Sequence, residues 1–282
     1  MTYDEMWREI ASAYDESEAK AVARLALETM FGLSKADVYC GKVSELSGEE
    51  EERLKAVTRR LASAEPVQYV MGWEEFCGRR FSVRPGVLIP RPETEDLCRW
   101  AVETGGGRVL DIGTGSGCIA ITLALDMPQA QVEAWDVSAD ALAVARENAR
   151  SLGAEVYFRQ QDALCPPLDD CDVYDLIVSN PPYICEHERS LMARNVLEHE
   201  PHQALFVSDD KPLLFYSAIA GYASHALKEG GSLLFECNTA HVDDTADMLQ
   251  GMGFCDVEAR NDLFGKPRFV KGVKTFKWKH FN

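Results

Sequence analysis

The stretch Val109-Leu110-Asp111-Ile112-Gly113-Thr114-Gly115-Ser116-Gly117 decides the fold of this chain. Its mostly apolar start predicts a buried strand, and its three alternating glycines predict a tight turn before a helix that begins at Cys118. The turn is not the dinucleotide-binding pattern G-x-G-x-x-G, because its third glycine comes one residue early, and the Lys-Ser or Lys-Thr pair of a P-loop is missing. Asp111, directly before the turn, would repel a pyrophosphate and attract a cationic amine. We therefore expect this unit to bind a ligand without phosphate groups.

The alternation of strand and helix continues toward the C-terminus. Apolar and β-branched runs predict strands at 131–135, 156–159, 173–178, 232–236, 255–259 and 269–272. Helical spacing predicts helices at 118–125, 139–151, 213–227 and 242–252. Such alternation implies an α/β fold with a parallel sheet that is covered on both faces. Ligands of these sheets bind at the carboxyl ends of the strands.

Two more aspartates lie at strand ends. Asp136 ends the second predicted strand, where a carboxylate can accept from two ribose hydroxyls. Asp162 follows the third strand, where it can accept from an adenine amino group. Each aspartate alone is more simply a helix cap. Together with Asp111 and the glycine turn, they predict a ligand that has an amine, a ribose and an adenine, which is S-adenosylmethionine.

The fourth strand runs into the segment Asn180-Pro181-Pro182-Tyr183. The two prolines stop the strand because they lack an N–H for the ladder and fix φ. Asn180 stands at the strand end with a side chain that both donates and accepts hydrogen bonds. Next to prolyl carbonyls, it predicts a rigid site for a group that presents an NH2. The alternative for the segment alone is a strand-ending turn with an aromatic stopper.

Residues 1–92 do not follow this alternation of strands and helices. Residues 1–64 read as a helical domain, with capping patterns at Asp15-x-x-Glu18 and Ser47-x-x-Glu50. That domain would serve in packing or in partner binding. Residues 65–92 read as strand and turn, with glycines that suit a hairpin linking two domains. Arg91, between two prolines, marks either a site, an interdomain joint or both. Residues 93–282 form the predicted catalytic domain.

Charge and cysteine usage narrow the possible functions. The chain has 46 acidic against 29 basic residues and a formal net charge of −17. Such a surface repels phosphate backbones, so we expect a protein substrate with basic patches and no direct nucleic-acid binding. No apolar run approaches bilayer length, and the first residues lack a signal pattern. The cysteines occur singly, without histidines at ligand spacing. We expect a cytoplasmic protein that holds no metal and has no membrane contact.

The motif set resembles a known family. The glycine turn with Asn180-Pro-Pro-Tyr183 is similar to class I methyltransferases that modify planar amine or amide nitrogens. The wider set closely resembles the release-factor glutamine methyltransferases of the PrmC/HemK type over about residues 60–273; it comprises 66–72, Glu75-Phe76, 88–95 and 200–205. This resemblance implies a Rossmann-like sheet of seven strands, mostly parallel with the last antiparallel, and a small N-terminal helical domain joined by a β-hairpin.

The resemblance also implies residue roles. S-adenosylmethionine, which leaves as S-adenosylhomocysteine, is expected against Asp111, Gly113, Thr114, Gly115, Ser116, Gly117, Asp136, Asp162, Ala163 and Asn180. Some members carry a bulky aromatic residue at the position of Ala163, so stacking on the adenine is expected to be weaker or to come from another side chain. The substrate glutamine is expected against Phe76, Arg91, Pro92, Asn180, Pro181, Pro182 and Tyr183, of which the last four form the catalytic segment.

The expected reaction is methylation of the glutamine in the Gly-Gly-Gln motif of class I peptide chain release factors, which tunes translation termination. Acceptors at Asn180 and the Pro181 carbonyl would orient the amide, and Tyr183 would pack on its plane. One alternative is a ribosomal protein glutamine, since a paralogous enzyme has near-identical motifs. Adenine methylation would need a basic footprint, and a scaffold without turnover would not need the intact motifs. We expect a monomer. No function is inferred for the tail at 273–282.

Overall fold

The computed structural model describes residues 1–167 and 169–275. The helices are α1 (Tyr3–Ile10), α2 (Glu16–Phe31), α3 (Lys35–Tyr39), α4 (Gly48–Ala62), α5 (Val67–Met71), α6 (Thr94–Thr104), α7 (Cys118–Asp126), α8 (Ala139–Leu152), α9 (Arg194–His199), α10 (Leu214–Ala226) and α11 (Val242–Gly251). The strands are β1 (Trp73–Phe76), β2 (Arg79–Ser82), β3 (Arg108–Ile112), β4 (Gln131–Asp136), β5 (Val156–Gln160), β6 (Tyr174–Ser179), β7 (Ile184–Cys185), β8 (Phe206–Val207), β9 (Leu227–Glu236), β10 (Phe254–Asn261) and β11 (Pro267–Lys274). Short 3₁₀ helices span Lys42–Glu45, Glu186–Leu191, His202–Ala204 and Thr239–His241.

The chain divides into two compact units. The first consists of Met1–Trp73, Val83–Pro85 and Leu191–Glu200, and the second consists of Glu74–Ser82, Gly86–Ser190 and Pro201–Asn282. The domain boundaries predicted from the sequence, 1–64, 65–92 and 93–282, stay a prediction. Among the described residues, no helix is long and apolar enough to cross a membrane.

The first unit is built from helices that bury one apolar face each. Met6, Ile10, Leu27, Leu54 and Leu61 share one hydrophobic core and are fully buried. Its helix starts are capped as the sequence predicts. The Asp15 side chain accepts from the backbone N–H of Glu18, and Ser47 and Glu50 form a reciprocal capping box at α4.

Two segments differ from the predicted strand-and-turn texture of 65–92. Residues 67–71 form the short helix α5, since Pro66 precedes it with a fixed φ and Gly72 ends it at φ 85°. The segment 87–89 is irregular: Val87 and Ile89 are buried, but the segment does not join a strand ladder. The predicted hairpin is β1 and β2, joined by Cys77 and Gly78, both with positive φ.

The second unit contains a sheet of seven strands in the order β10-β11-β9-β6-β3-β4-β5. The strand pairs from β9 to β5 are parallel, and β11 runs antiparallel to both β9 and β10. The predicted fold class is therefore confirmed, including the antiparallel last strand. Val273 and Lys274 of the tail belong to β11, whereas Lys277 and Lys279 lie outside the described residues.

Both faces of the sheet are covered, and this positions the site. Val109 and Val178 pack in a core with α6 and α7, while Leu110 and Ile177 pack in a second core with α10 and α11. Neighbouring residues of β3 and β6 thus point to opposite faces, as a buried parallel sheet requires. The carboxyl ends of β3, β4 and β6 therefore stand side by side at one edge.

Candidate active site

A cleft of about 240 Å³ lies at the carboxyl ends of β3, β4, β5 and β6. The sheet register brings these ends together, since Ile112 pairs with both Trp135 and Ser179. Most of the predicted site residues line the cleft, namely Arg91, Gly113, Thr114, Gly115, Ser116, Asp136, Asp162, Ala163, Asn180, Pro181 and Pro182. Asp111, Gly117, Phe76, Pro92 and Tyr183 do not line it.

The glycine turn depends on its glycines for backbone geometry. Gly113, Gly115 and Gly117 have φ of 79°, 56° and 84°, in the left-handed region that other residues avoid. A Cβ on Gly117 would lie 2.8 Å from Ile121 Cδ1 and 3.1 Å from Ala145 Cβ. Gly117 therefore allows the turn to pack closely against α7 and α8, although it does not line the cleft itself.

Hydrogen bonds fix the turn to the end of β4. The N–H groups of Gly113 and Thr114 both donate to the Trp135 carbonyl at 2.9 Å. Asp136 accepts from Gly115 N at 2.8 Å through Oδ2 and from Ser138 N at 2.9 Å through Oδ1. Its burial raises the pKa of this carboxyl. Asp136 thus braces neighbouring backbone segments while its side chain also lines the cleft.

Asp162 and Ala163 form the far wall of the cleft. Asp162 Oδ1 accepts from Leu164 N at 2.8 Å, so this aspartate caps its own turn and also borders the cleft. Ala163 packs beside the second core of the sheet. The small Ala163 side chain leaves space in the cleft that an aromatic ring at this position would occupy.

Asp111 lies behind the turn rather than on the cleft wall. Its side chain is fully buried, and Oδ2 accepts from Ala120 N at 3.2 Å, in the first turn of α7. Burial raises the pKa of the carboxyl to about 7. Asp111 joins β3 to the start of α7 through this bond. It does not line the cleft, and its predicted contact with a ligand amine stays a prediction.

Asn180 belongs to a hydrogen-bonded chain of side chains. Its Nδ2 donates to Thr94 Oγ1 at 3.3 Å, and Thr94 Oγ1 donates to Glu236 Oε2 at 2.7 Å. The Tyr183 hydroxyl donates to the other carboxylate oxygen, Oε1, at 3.2 Å. Glu236 is fully buried, which raises the pKa of its carboxyl to about 7. One buried acid therefore connects both ends of the Asn180–Tyr183 segment.

Three predicted substrate residues lie away from the cleft surface. The Tyr183 hydroxyl donates to Glu236 Oε1, and the predicted packing of its ring on a substrate amide stays a prediction. The Phe76 side chain is 1% exposed and packs edge-to-face on Phe81, with the ring centroids 5.9 Å apart. Pro92 accepts from Glu95 N at 3.1 Å in the loop that starts α6. These residues support the segments that carry Arg91 and Asn180.

Thr94 and Glu236 were not predicted as site residues. Thr94 lies within the 88–95 block, and Glu236 is a buried acid that directly follows the apolar run Leu233–Phe235 in a central strand. An acid in that place is a signal, because buried carboxylates need partners. The identity of those partners could not be read from the chain.

One cluster could offer metal ligands. The ligand atoms of Cys185, His187 and Asp209 lie within 4.8 Å of one another. His187 and Asp209 are exposed and already pair, with Nδ1 and Oδ1 2.7 Å apart. Their pairing explains their closeness without an ion, and none of the three lines the cleft.

Family models match both the N-terminal helical part of the chain and the part that contains the sheet. Residues 5–72 match the PrmC N-terminal domain, and residues 96–208 match the methyltransferase small domain. The release factor glutamine methyltransferase of Bacteroides thetaiotaomicron is 46% identical over 259 residues, which are 91% of this chain and 93% of that protein. That of Flavobacterium psychrophilum is 37% identical over 269 residues, covering 93% of this chain and 94% of that protein.

A solved structure supports the architecture. The crystal structure of a methyltransferase from Pyrococcus furiosus covers 71% of this chain and 91% of its own, with a TM-score of 0.54 and 15% identity. At this identity, the likeness shows the fold alone. The family follows from the close relatives, which match nearly all of the chain at up to 46% identity. The chain belongs to the release factor glutamine methyltransferase family.

Proposed function

We propose that this chain transfers a methyl group from S-adenosylmethionine to the side-chain amide nitrogen of the glutamine in the Gly-Gly-Gln motif of peptide chain release factors. One observation carries the proposal: Asn180 and Pro181 line the same cleft as the glycine turn and Asp136. A site for a planar nitrogen thus adjoins a site for a nucleoside that has no phosphate. Family membership identifies the nitrogen as that of a release-factor glutamine.

The described residues fit the cofactor. Gly113 and Gly115 leave the floor of the cleft without Cβ atoms, so a ligand can approach the backbone closely. Asp136 would accept from ribose hydroxyls with lone pairs that its backbone contacts leave free. Asp162 and Ala163 would border the adenine. When bound, S-adenosylmethionine supplies a methyl group that its sulfonium already activates.

The protein's task at the substrate is orientation. A carboxamide nitrogen is a poor nucleophile, because its lone pair is delocalised into the carbonyl. Asn180 Oδ1 and the Pro181 carbonyl would accept from the two N–H bonds of the substrate amide, which keeps electron density on nitrogen and fixes its plane. Placement of this kind contributes more than a strong base when the methyl donor is already activated.

The same acceptors give specificity for glutamine over glutamate. A substrate carboxylate would put negative charge against Asn180 Oδ1 and the Pro181 carbonyl, with no N–H to satisfy either. Sites built to bond an N–H reject analogues that lack it by large factors. Arg91 lines the cleft and would shape its entrance, with Pro92 and Phe76 supporting it from behind.

The net charge and the domains of the chain bear on its partner. The net charge of −17 disfavours nucleic acid as a partner and suits a release factor with basic patches. We propose that residues 1–64 grip that protein, that 65–92 link the domains, and that 93–282 catalyse the reaction. The enzyme would act as a cytoplasmic monomer.

A competition assay tests the substrate. The purified chain is incubated with labelled S-adenosylmethionine, a class I release factor and a ribosomal protein fraction in one tube. We expect the label on the release factor, and none in a parallel reaction with a release factor whose motif glutamine is replaced by glutamate. Labelling of a ribosomal protein in preference to the release factor would contradict the proposal.

A further inference from the structure

We propose that Glu236 is a positioning residue: through the Thr94 hydroxyl it fixes which end of the Asn180 amide faces the substrate. The inference rests on the proposed function, since it concerns how Asn180 presents its acceptor oxygen to a glutamine amide. Glu236 ends β9, and Asn180 follows the neighbouring strand β6. Thr94, the first residue of α6, is hydrogen-bonded to both of them.

The first step is the direction of the Thr94 hydroxyl. An ionised carboxylate accepts hydrogen bonds and cannot donate them. Thr94 Oγ1 lies 2.7 Å from Glu236 Oε2, so its single hydrogen must point to the acid. Both groups are buried, with Thr94 2% and Glu236 0% exposed, so water does not compete for this hydrogen.

The second step is the orientation of the Asn180 amide. Because Thr94 has given its hydrogen to Glu236, its oxygen can only accept from Asn180. Asn180 therefore presents Nδ2 to Thr94, at 3.3 Å, and its Oδ1 must point the other way. The opposite flip would set the amide oxygen against the lone pairs of the hydroxyl and lose a buried hydrogen bond. Glu236 thereby determines that Asn180 offers an acceptor to the cleft.

Glu236 also holds the far end of the segment. The Tyr183 hydroxyl donates to Oε1 at 3.2 Å, and the Tyr183 carbonyl accepts from Asn238 Nδ2 at 3.2 Å. The Asn180–Tyr183 segment is thus fixed at both termini by groups at the end of β9. Pro181 and Pro182 make the segment stiff, so fixing Tyr183 also restricts the orientation of Asn180.

Protonation of Glu236 would reverse the chain of donors. A neutral carboxyl can donate to Thr94 Oγ1, and the hydroxyl is then free to donate to Asn180 and to draw Oδ1 away from the cleft. The pKa of Glu236 is raised to about 7 in total: burial and, less strongly, the charge of Glu93 raise it, while Thr94, Arg268 and Tyr183 lower it. Methyl transfer should therefore fall as the pH drops through about 7.

The test uses paired variants of the whole enzyme. Thr94→Val keeps the shape and removes the hydroxyl, whereas Thr94→Ser restores it. We expect Thr94→Val to lower kcat about 10–100-fold, with the Kd for S-adenosylmethionine in calorimetric titration close to that of the wild type. Thr94→Ser should recover most of that loss. Equal kcat in the Val and Ser variants would overturn the inference.

Glu236→Gln gives the second readout. The wild-type kcat should rise with pH through about 7, and this step should be absent in Glu236→Gln, because the variant has no carboxyl to titrate. A wild-type step that persists in Glu236→Gln would overturn the assignment. If this variant does not fold, the Thr94 pair decides alone. Failure of the proposed function would look different, since the wild type itself would then not methylate the release factor.

Discussion

At the scale of single residues, the site depends on the direction of hydrogen bonds more than on charge. Asn180 is neutral and half-buried, and its amide is held by a hydroxyl that is itself held by an acid. An amide in such a place can fix a planar nitrogen without adding or removing a proton. The rate should therefore depend on Asn180 far more than cofactor binding does.

We predict that Asn180→Ala lowers kcat by about 10²–10³-fold, a loss comparable to removing one oriented group at a reacting centre. The Kd for S-adenosylmethionine should stay within a few-fold of the wild type, because the turn and Asp136 are untouched. Calorimetric titration and single-turnover methylation measure the two quantities. Asn261→Ala is the matched control, since Asn261 is exposed at the end of β10. Near-normal turnover in Asn180→Ala would show that the segment has been misread.

Asp111 allows a test of the buried acid behind the turn. Its folded pKa of about 7 lies above the ordinary value of 3.8, so the folded state binds the proton more tightly. Its contribution to stability is complete below about pH 4 and is lost as the pH rises through about 7. The loss can reach about 4 kcal/mol, at 1.36 kcal/mol per unit of pKa.

Asp111→Asn should remove this dependence. Relative to the wild type, the unfolding free energy of the variant should increase steadily between about pH 4 and 7. Above about pH 7, the difference between the two proteins should stay constant. Urea unfolding at several pH values measures both proteins. A difference that stays constant across this range would mean that Asp111 titrates normally in the folded protein.

At the scale of elements, the glycine turn is the joint between β3, α7 and α8. The φ of Gly117 is 84°, and the turn leaves no room for a Cβ beside Ile121 and Ala145. Gly153, which ends α8 at φ 71°, has nothing within 4 Å of its would-be Cβ. Comparing alanine substitutions at Gly117 and Gly153 therefore separates the cost of backbone strain from the cost of crowding.

We predict that Gly117→Ala destabilises the protein more than Gly153→Ala does. The left-handed backbone costs each variant about 1–2 kcal/mol, and overpacking adds about 1–3 kcal/mol at Gly117 alone. Gly117→Ala should also weaken cofactor binding, because the turn must shift. Thermal unfolding and calorimetry provide the comparison. Equal Tm losses would show that the contact with Ile121 and Ala145 relaxes freely.

The elements also show what sequence can and cannot reveal. The strand ends of β3, β4 and β6 were predictable, because apolar runs stop there at glycine, aspartate or proline. The helix at 67–71 was missed, since its β-branched residues suit a strand and tertiary burial decided otherwise. The Thr94–Glu236 contact joins residues 142 positions apart, and no local pattern encodes such a pairing. Strand-end location does not reveal on which side of the turn the Asp111 side chain lies, so its predicted contact with a ligand amine stays a prediction.

At the scale of the whole molecule, one sheet edge gathers the site from strands that are distant in the chain. β3 and β4 end at the glycine turn and Asp136, while β6 and β9 end at Asn180 and Glu236, and the strand order places these four ends next to one another. The predicted cofactor residues and the predicted amide residues therefore meet at one edge of the sheet. The net charge of −17 disfavours nucleic acid as a partner.

We predict that the enzyme does not bind duplex DNA at physiological ionic strength. A protein with a net charge of −17 is repelled by phosphates and releases few counterions on contact with them. Fluorescence anisotropy with a labelled duplex, titrated at low and moderate salt, measures this. Tight binding that weakens steeply with salt would revive adenine methylation as the activity.

The most direct test of the central claim is the location of the methyl group. The wild-type enzyme is incubated with S-adenosylmethionine and a class I release factor, and the product is digested and analysed by tandem mass spectrometry. We expect one added methyl on the side-chain nitrogen of the Gly-Gly-Gln glutamine, and its near absence in the Asn180→Ala reaction. An unmodified Gly-Gly-Gln glutamine after incubation with active enzyme, or a methyl on another residue, would contradict it.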